Sequence, residues 1–163
     1  MKKLKTGYAA PKKPGKKEFA GVRVALLETR WNVDLVAALD KGARECCADW
    51  GVKAENIKVY YAPGAYEIPL ATQTILDSGE ADTVVTLGAV IRGDTPHFDF
   101  VAGECARGLM DVQLRTGGPV GFGVLTVNTV EQAWERAGPG KTNKGYEAAA
   151  AALEMLRLVR SLA

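Results

Sequence analysis

Apolar and polar positions along this chain follow two rhythms, one of strands and one of helices, and the two take turns. Residues 22–27 form a short aliphatic and β-branched run that predicts a buried strand. From Leu35 the apolar positions recur at helical spacing through Val36, Leu39, Ala43, Cys46, Cys47 and Trp50. Asn32 is the expected cap of this helix and Gly51 its stop. Residues 57–61 predict a second strand. Pro63-Gly64 then breaks the chain, and a helix is expected through Leu70 and Ile75 to about Asp77. The span 81–91 contains the third strand, TVVTLGAVI. Thr95 is the expected cap of the next helix, with Pro96 at its first position. Phe98, Val101, Cys105, Leu109 and Val112 share one face of it, and Gly117-Gly118-Pro119 end it. Residues 120–127 predict the fourth strand. Thr129 and Gln132 have capping-box spacing for a short helix ending at Gly138. The last helix runs from about Asn143 to Leu162, its alanine-rich first half suited to close packing against a sheet or a neighbour.

Strands that alternate with helices of this length imply an α/β fold: a three-layer, flavodoxin-like domain with a four-stranded parallel sheet flanked by helices. Ligands in such sheets bind beyond the carboxyl ends of the strands. That rule selects four connections: residues 28–32, 62–67, 88–97, and the stretch from Val127 onward.

Composition narrows the class. Apolar residues are 47% and charged residues 25%, the balance of a globular protein, and no apolar run is long enough to span a bilayer. With no apolar stretch behind the basic start, a secretory signal is not expected, and the reading is cytoplasmic. The net charge of +2 is unevenly placed: residues 1–17 hold seven lysines and no acid, which leaves −5 for the rest. Residues 1–17, with Pro11, Pro14 and Gly15, are expected to be a disordered basic tail, and residues 18–163 one domain. The tail could meet an anionic partner or act only as a solubiliser. Cys46, Cys47 and Cys105 read as small apolar core residues. With one histidine in the chain they give no metal-ligand spacing, so no metal is expected.

Each selected connection holds chemistry. Trp31, beside Arg30 and Asn32, could pack or stack on a flat heterocycle. Gly64 would let a ligand approach the backbone, and Glu67 could accept hydrogen bonds from a polyol or an amine. Residues 88–97, GAVIRGDTPH, run from strand end through a glycine turn into a helix, whose free N–H groups can bind an anion such as phosphate. Thr95 adds a hydroxyl. His97 is either structural or a proton-transfer group acting near neutral pH. Arg136 and Lys144 could clamp a phosphate or be ordinary surface charge. Lys144 stands at a helix N-terminus, where a cation is unfavourable unless an anion is near. No phosphate-loop, dinucleotide or nucleophile-elbow motif is present. What remains is acid–base chemistry on a phosphorylated small molecule, without metal or redox cofactor.

From about Gly21 to the C-terminus the chain resembles the lumazine synthase family. The resemblance is carried, in order, by RWN at 30–32, PGAYEIP at 63–69, LGAVIRGDTPHFDFV at 87–101, ERAG at 135–138 and NKG at 143–145. It implies the condensation of 5-amino-6-(D-ribitylamino)uracil with 3,4-dihydroxy-2-butanone 4-phosphate to 6,7-dimethyl-8-ribityllumazine, phosphate and water, with no cofactor. It implies that Trp31, where the family commonly has Phe, stacks on the pyrimidine, and that Asn32 with Ala65, Tyr66 and Glu67 holds the uracil and ribityl groups. Ala89, Val90 and Ile91 would line the pyrimidine site. Gly93, Asp94 and Thr95 would wrap the phosphate, with members varying at the Asp94 position. His97 would transfer protons. Phe122, Arg136 and Lys144 would come from the adjacent subunit, Arg136 gripping phosphate. The resemblance thus implies a homo-oligomer, a pentamer that could pair into a decamer or close into an icosahedral shell of sixty subunits; the short 138–143 loop is similar to that of shell-forming members. Two alternatives stay open: a module that only binds a flavin or lumazine, and a shell whose work is encapsulation.

Overall fold

The computed structural model describes residue 7 and residues 9–163. The expected disorder of the basic tail falls, at residues 1–6 and 8, outside the described residues. Four strands, β1 (Val24–Thr29), β2 (Ile57–Ala62), β3 (Thr83–Ile91) and β4 (Val120–Val127), form one sheet in the order β2-β1-β3-β4. Every neighbouring pair is parallel. Among the described residues there are five α-helices, α1 (Val33–Asp49), α2 (Ile68–Asp77), α3 (His97–Thr116), α4 (Val130–Arg136) and α5 (Lys144–Leu162), and two short 3₁₀ turns, Ala54–Asn56 and Ala65–Glu67. This is the α/β three-layer arrangement the sequence predicts. Among the described residues no helix is long and apolar enough to cross a membrane.

The core lies on both faces of the sheet, as a sheet covered on both sides requires. One face packs Leu26, Val85, Leu87 and Leu125 against Leu35, Leu39, Cys46 and Cys47 of α1 and Ala149, Ala152 and Leu153 of α5. The other packs Ala25, Leu27, Val84 and Val124 against Ile68 and Ile75 of α2 and Cys105 and Leu109 of α3. Residues 83–89 of β3 are all buried, the mark of a central strand. All three thiols are free and buried. Burial pushes Cys105 up to about 12, and burial, partly offset by Arg44, does the same for Cys47, so neither is a nucleophile near neutral pH.

The alanine-rich half of α5 packs on the sheet and on α1, and small residues let it come close. A Cβ on Gly121 would collide with the Ala148 carbonyl, and one on Gly145 with the Leu39 carbonyl. Asn143 closes the joint. Its Nδ2 donates to the carbonyls of Ala38 (3.1 Å), Ala137 (3.1 Å) and Gly138 (2.9 Å), and its Oδ1 accepts from the N–H groups of Gly145 (2.8 Å) and Tyr146 (3.2 Å).

Three local expectations shift. The first strand runs 24–29 rather than 22–27. Val22 instead closes a turn on Phe19, while polar Glu28 and Thr29 continue the ladder. Asn32 does sit at the N-cap of α1, but in the left-handed conformation (φ 55°) and with no capping hydrogen bond from its side chain. The third helix opens at His97 with Pro96 as its cap residue; Thr95 Oγ1 meets the His97 N–H only at 3.4 Å. The Thr129–Gln132 box forms in part: Gln132 N–H donates to Thr129 Oγ1, while Gln132 Oε1 accepts from the N–H of Asn128, one residue before the cap.

Before β1, the described part of the basic segment meets the end of the chain. Arg157 of α5 pairs with Glu18 at 2.7 Å and donates to the Lys12 carbonyl at 2.9 Å. Its guanidinium also lies over the rings of Phe19 (5.5 Å) and Trp50 (5.0 Å), which pack edge to face.

Candidate active site at the strand ends

β1 and β3 are neighbours whose chains leave toward opposite edges of the sheet: β1 leads to β2, β3 to β4. Their carboxyl ends therefore open a cleft at the switch point. A cavity of about 680 Å³ occupies it, the size of a small-molecule site. Thr29, Trp31 and Asn32 supply one wall and Gly64, Ala65, Tyr66 and Glu67 another. Ala89, Val90 and Ile91 form the floor; Gly93, Thr95, His97, Phe98, Phe100 and Val101 complete the rim.

The local sequence explains each placement. The left-handed turn at Asn32 compresses the β1–α1 connection to three residues and leaves the Asn32 amide unused by the helix. Trp31 is 70% exposed, so it is not a core residue, and its ring is open for stacking. Gly64 lies beside this ring: a Cβ there would touch Trp31 at 3.5 Å, an ordinary contact, and would sit more tightly against Glu67 Oε2 at 3.3 Å. Tyr66 and Glu67 ride on a single 3₁₀ turn, Ala65–Glu67, that leads into α2. His97 begins α3, and its exposed ring makes no hydrogen bond to the described residues. Arg92 does not face the cavity. It is held by Asn128 (3.1 Å) and Asp99 (3.1 Å) and covers the Phe98 ring at 4.3 Å, tying the first turn of α3 to the end of β4.

The structure thus brings together Trp31, Asn32, Ala65, Tyr66, Glu67, Ala89, Val90, Ile91, Gly93, Thr95 and His97. Asp94, Phe122, Arg136 and Lys144 do not line this cavity within one chain. Phe122 is on edge strand β4 and half exposed. Arg136 donates to the Gln132 carbonyl at 2.9 Å and has Glu135 at 3.8 Å. Lys144 pairs with Glu147 at 2.6 Å, on the wall of a second cavity of about 1010 Å³ between residues 10–14 and the start of α5. Sequence reasoning missed Thr29, whose strand-end position and hydroxyl were the available signal, and Phe98 and Val101, which helical spacing assigns to the core.

A sequence profile described as 6,7-dimethyl-8-ribityllumazine synthase matches residues 21–160. The chain belongs to that family. A relative named 6,7-dimethyl-8-ribityllumazine synthase, from Deinococcus deserti, is 48% identical over 141 residues, which are 86% of this chain and 90% of the relative. The chain is thus an enzyme of riboflavin biosynthesis, a transferase of the lumazine synthase family, and its cavity stands where open parallel sheets in general place a ligand.

Proposed function

We propose that the cavity condenses 5-amino-6-(D-ribitylamino)uracil with 3,4-dihydroxy-2-butanone 4-phosphate to 6,7-dimethyl-8-ribityllumazine, phosphate and water. The observation that carries this reading is the convergence, in one cavity, of an exposed aromatic ring, polar groups for a polyol, an anion-seeking helix start and a free imidazole. Attack of the 5-amino group on the ketone releases water and forms an imine. Loss of a proton from the carbinol carbon expels phosphate and leaves an enol, which tautomerises to a ketone; closure by the ribitylamino nitrogen on that new carbonyl carbon releases a second water. Each step moves protons and none calls for an electron acceptor. Holding the two reactants in register supplies much of the rate. Trp31 stacks on the pyrimidine, Asn32 and residues 65–67 hold its polar edge and ribityl chain, and residues 89–91 close its floor. Gly93, Asp94 and Thr95 wrap the phosphate, and His97 carries protons.

In this reading one chain is an incomplete site. Phe122, Arg136 and Lys144 serve the cavity of an adjacent subunit in a cytoplasmic pentamer. The positions of these three residues away from their own chain's cavity support that arrangement. Native mass distinguishes the pentamer from a decamer or a closed shell; a monomer that turns over would refute the shared site. The activity itself is tested by mixing both substrates with the protein and following lumazine absorbance. No product above the uncatalysed rate would sink it.

Arg136→Ala is expected to raise KM for the phosphorylated ketone about tenfold, the weight of one hydrogen bond to a charged group. KM for the uracil should change less than about twofold, since Arg136 is assigned to phosphate alone. Equal increases for both substrates would remove Arg136 from the phosphate site.

A further inference from the structure

Behind the wall that carries Thr29, Trp31 and Asn32, three ionisable groups meet with one cation too few. Arg44 Nε donates to Asp40 Oδ2 at 2.7 Å along α1. The other oxygen, Asp40 Oδ1, is buried and receives no N–H or O–H donor among the described residues. The group set against Asp40 is the half-buried carboxyl of Glu28, the second-last residue of β1. Ionised carboxylates only accept hydrogen bonds, so a contact between two of them needs a proton. One guanidinium balances one negative charge. Among the described residues the other elements packed here bring no second cation to Glu28: β2 places Tyr61 beside it and β3 places Leu87, while α1 adds the buried thiol of Cys47 near Arg44 and Asp40.

We propose that Glu28 holds a proton near neutral pH and donates it to Asp40, and that this pair is a positioning device for the Trp31–Asn32 wall of the cavity. The pair bridges β1, one residue before its end, to the second turn of α1, and so ties together the two elements that the three-residue connection carrying Trp31 and Asn32 joins. Losing the proton replaces a hydrogen bond with repulsion between two carboxylates, and the strand end and helix flanking the connection are pushed apart. Burial, reinforced by the Asp40 contact and charge and opposed by Arg44, pushes the Glu28 carboxyl up to about 7. A folded-state value above the ordinary one means the folded chain keeps a proton that the unfolded chain releases. The bond's contribution is therefore fully present below the ordinary glutamate range and is lost as pH rises through about 7.

The proton pair does not depend on the proposed reaction; its effect on turnover rests on that reading. The test compares the full-length protein with Glu28→Gln, whose amide donates to Asp40 at every pH. Infrared difference spectra of the wild type should show a protonated-carboxyl C=O band that disappears as pH rises through about 7, and Glu28→Gln should lack it. The Trp31 fluorescence, isolated by subtraction of Trp31→Phe, should change over the same range in the wild type and stay constant in Glu28→Gln. With both substrates, the ratio of kcat/KM for Glu28→Gln over wild type should rise about threefold between mildly acidic and mildly alkaline pH, the size of one net hydrogen bond. Absence of the band overturns the pair. A Trp31 signal or kinetic ratio that ignores pH while the band titrates overturns the positioning role. Failure of lumazine formation with both optical signals intact refutes the proposed reaction and leaves the proton-held wall supported.

Discussion

Replacing His97 with alanine is expected to lower kcat about 100-fold while the protein keeps its fold and its thermal midpoint. The rate loss sits at the low end of what general acid–base groups contribute, roughly 10²–10⁴-fold, because positioning of two reactants carries the rest of the acceleration. The fold should survive because the His97 side chain is exposed and makes no hydrogen bond to the described residues. Its backbone N–H, which reaches Thr95 Oγ1, is untouched by the substitution. The effect should fall on kcat more than on either KM, since the imidazole serves transferring protons rather than ground-state binding. Steady-state kinetics with both substrates and a thermal melt check this together. A wild-type kcat would exclude His97 from proton transfer, and a collapsed melting curve would show it to be structural.

Asn143→Ala is expected to have the largest effect on stability, about 3 kcal/mol. The substitution removes a helix N-cap, worth roughly 1 kcal/mol, and strips a donor from the carbonyls of Ala38, Ala137 and Gly138. Asn143 is 3% exposed, so water does not replace that donor; orphaned buried acceptors cost about 1–3 kcal/mol each, less where another bond remains. For a chain of this size the thermal midpoint should fall by about 6–12 °C. Asn143→Asp separates the two contributions, since it keeps the cap oxygen and loses the amide donor. A fall of less than about 2 °C for the alanine variant would mean that the joint between α1 and α5 holds without it.

Much of this fold is legible in the sequence because its signals are physically strong. The TVVTLGAVI run is buried along almost its whole length, and the glycine and proline breaks fall between elements. What the sequence hides are residues whose polarity contradicts their place. Glu28 and Thr29 extend β1 although neither looks like a buried strand residue; one leans on Asp40 and the other is sealed against Gly88. Asn32 has the composition of a cap yet leaves the helix uncapped, because a left-handed turn directs its backbone instead. In the candidate site, the cavity walls on β1, β3 and α3 follow from the strand-end rule. The distinction between ligand and clamp does not. Asn143 and Gly145 flank Lys144 in a motif that resemblance attaches to the site, and their own work is to seat α5 on α1. Spacing alone cannot separate a residue that touches a ligand from one that holds the helix bearing it.

The clasp between Arg157 and Glu18 bears on how the chain is made. These partners are 139 residues apart, and at ordinary synthesis rates that separation takes roughly 7–28 s to emerge from the ribosome. Until α5 arrives, Phe19 and Trp50 lack the guanidinium that covers them, and Lys12 lacks its donor. The segment from Lys12 to Phe19 therefore gains its last contacts only after α5 has been made.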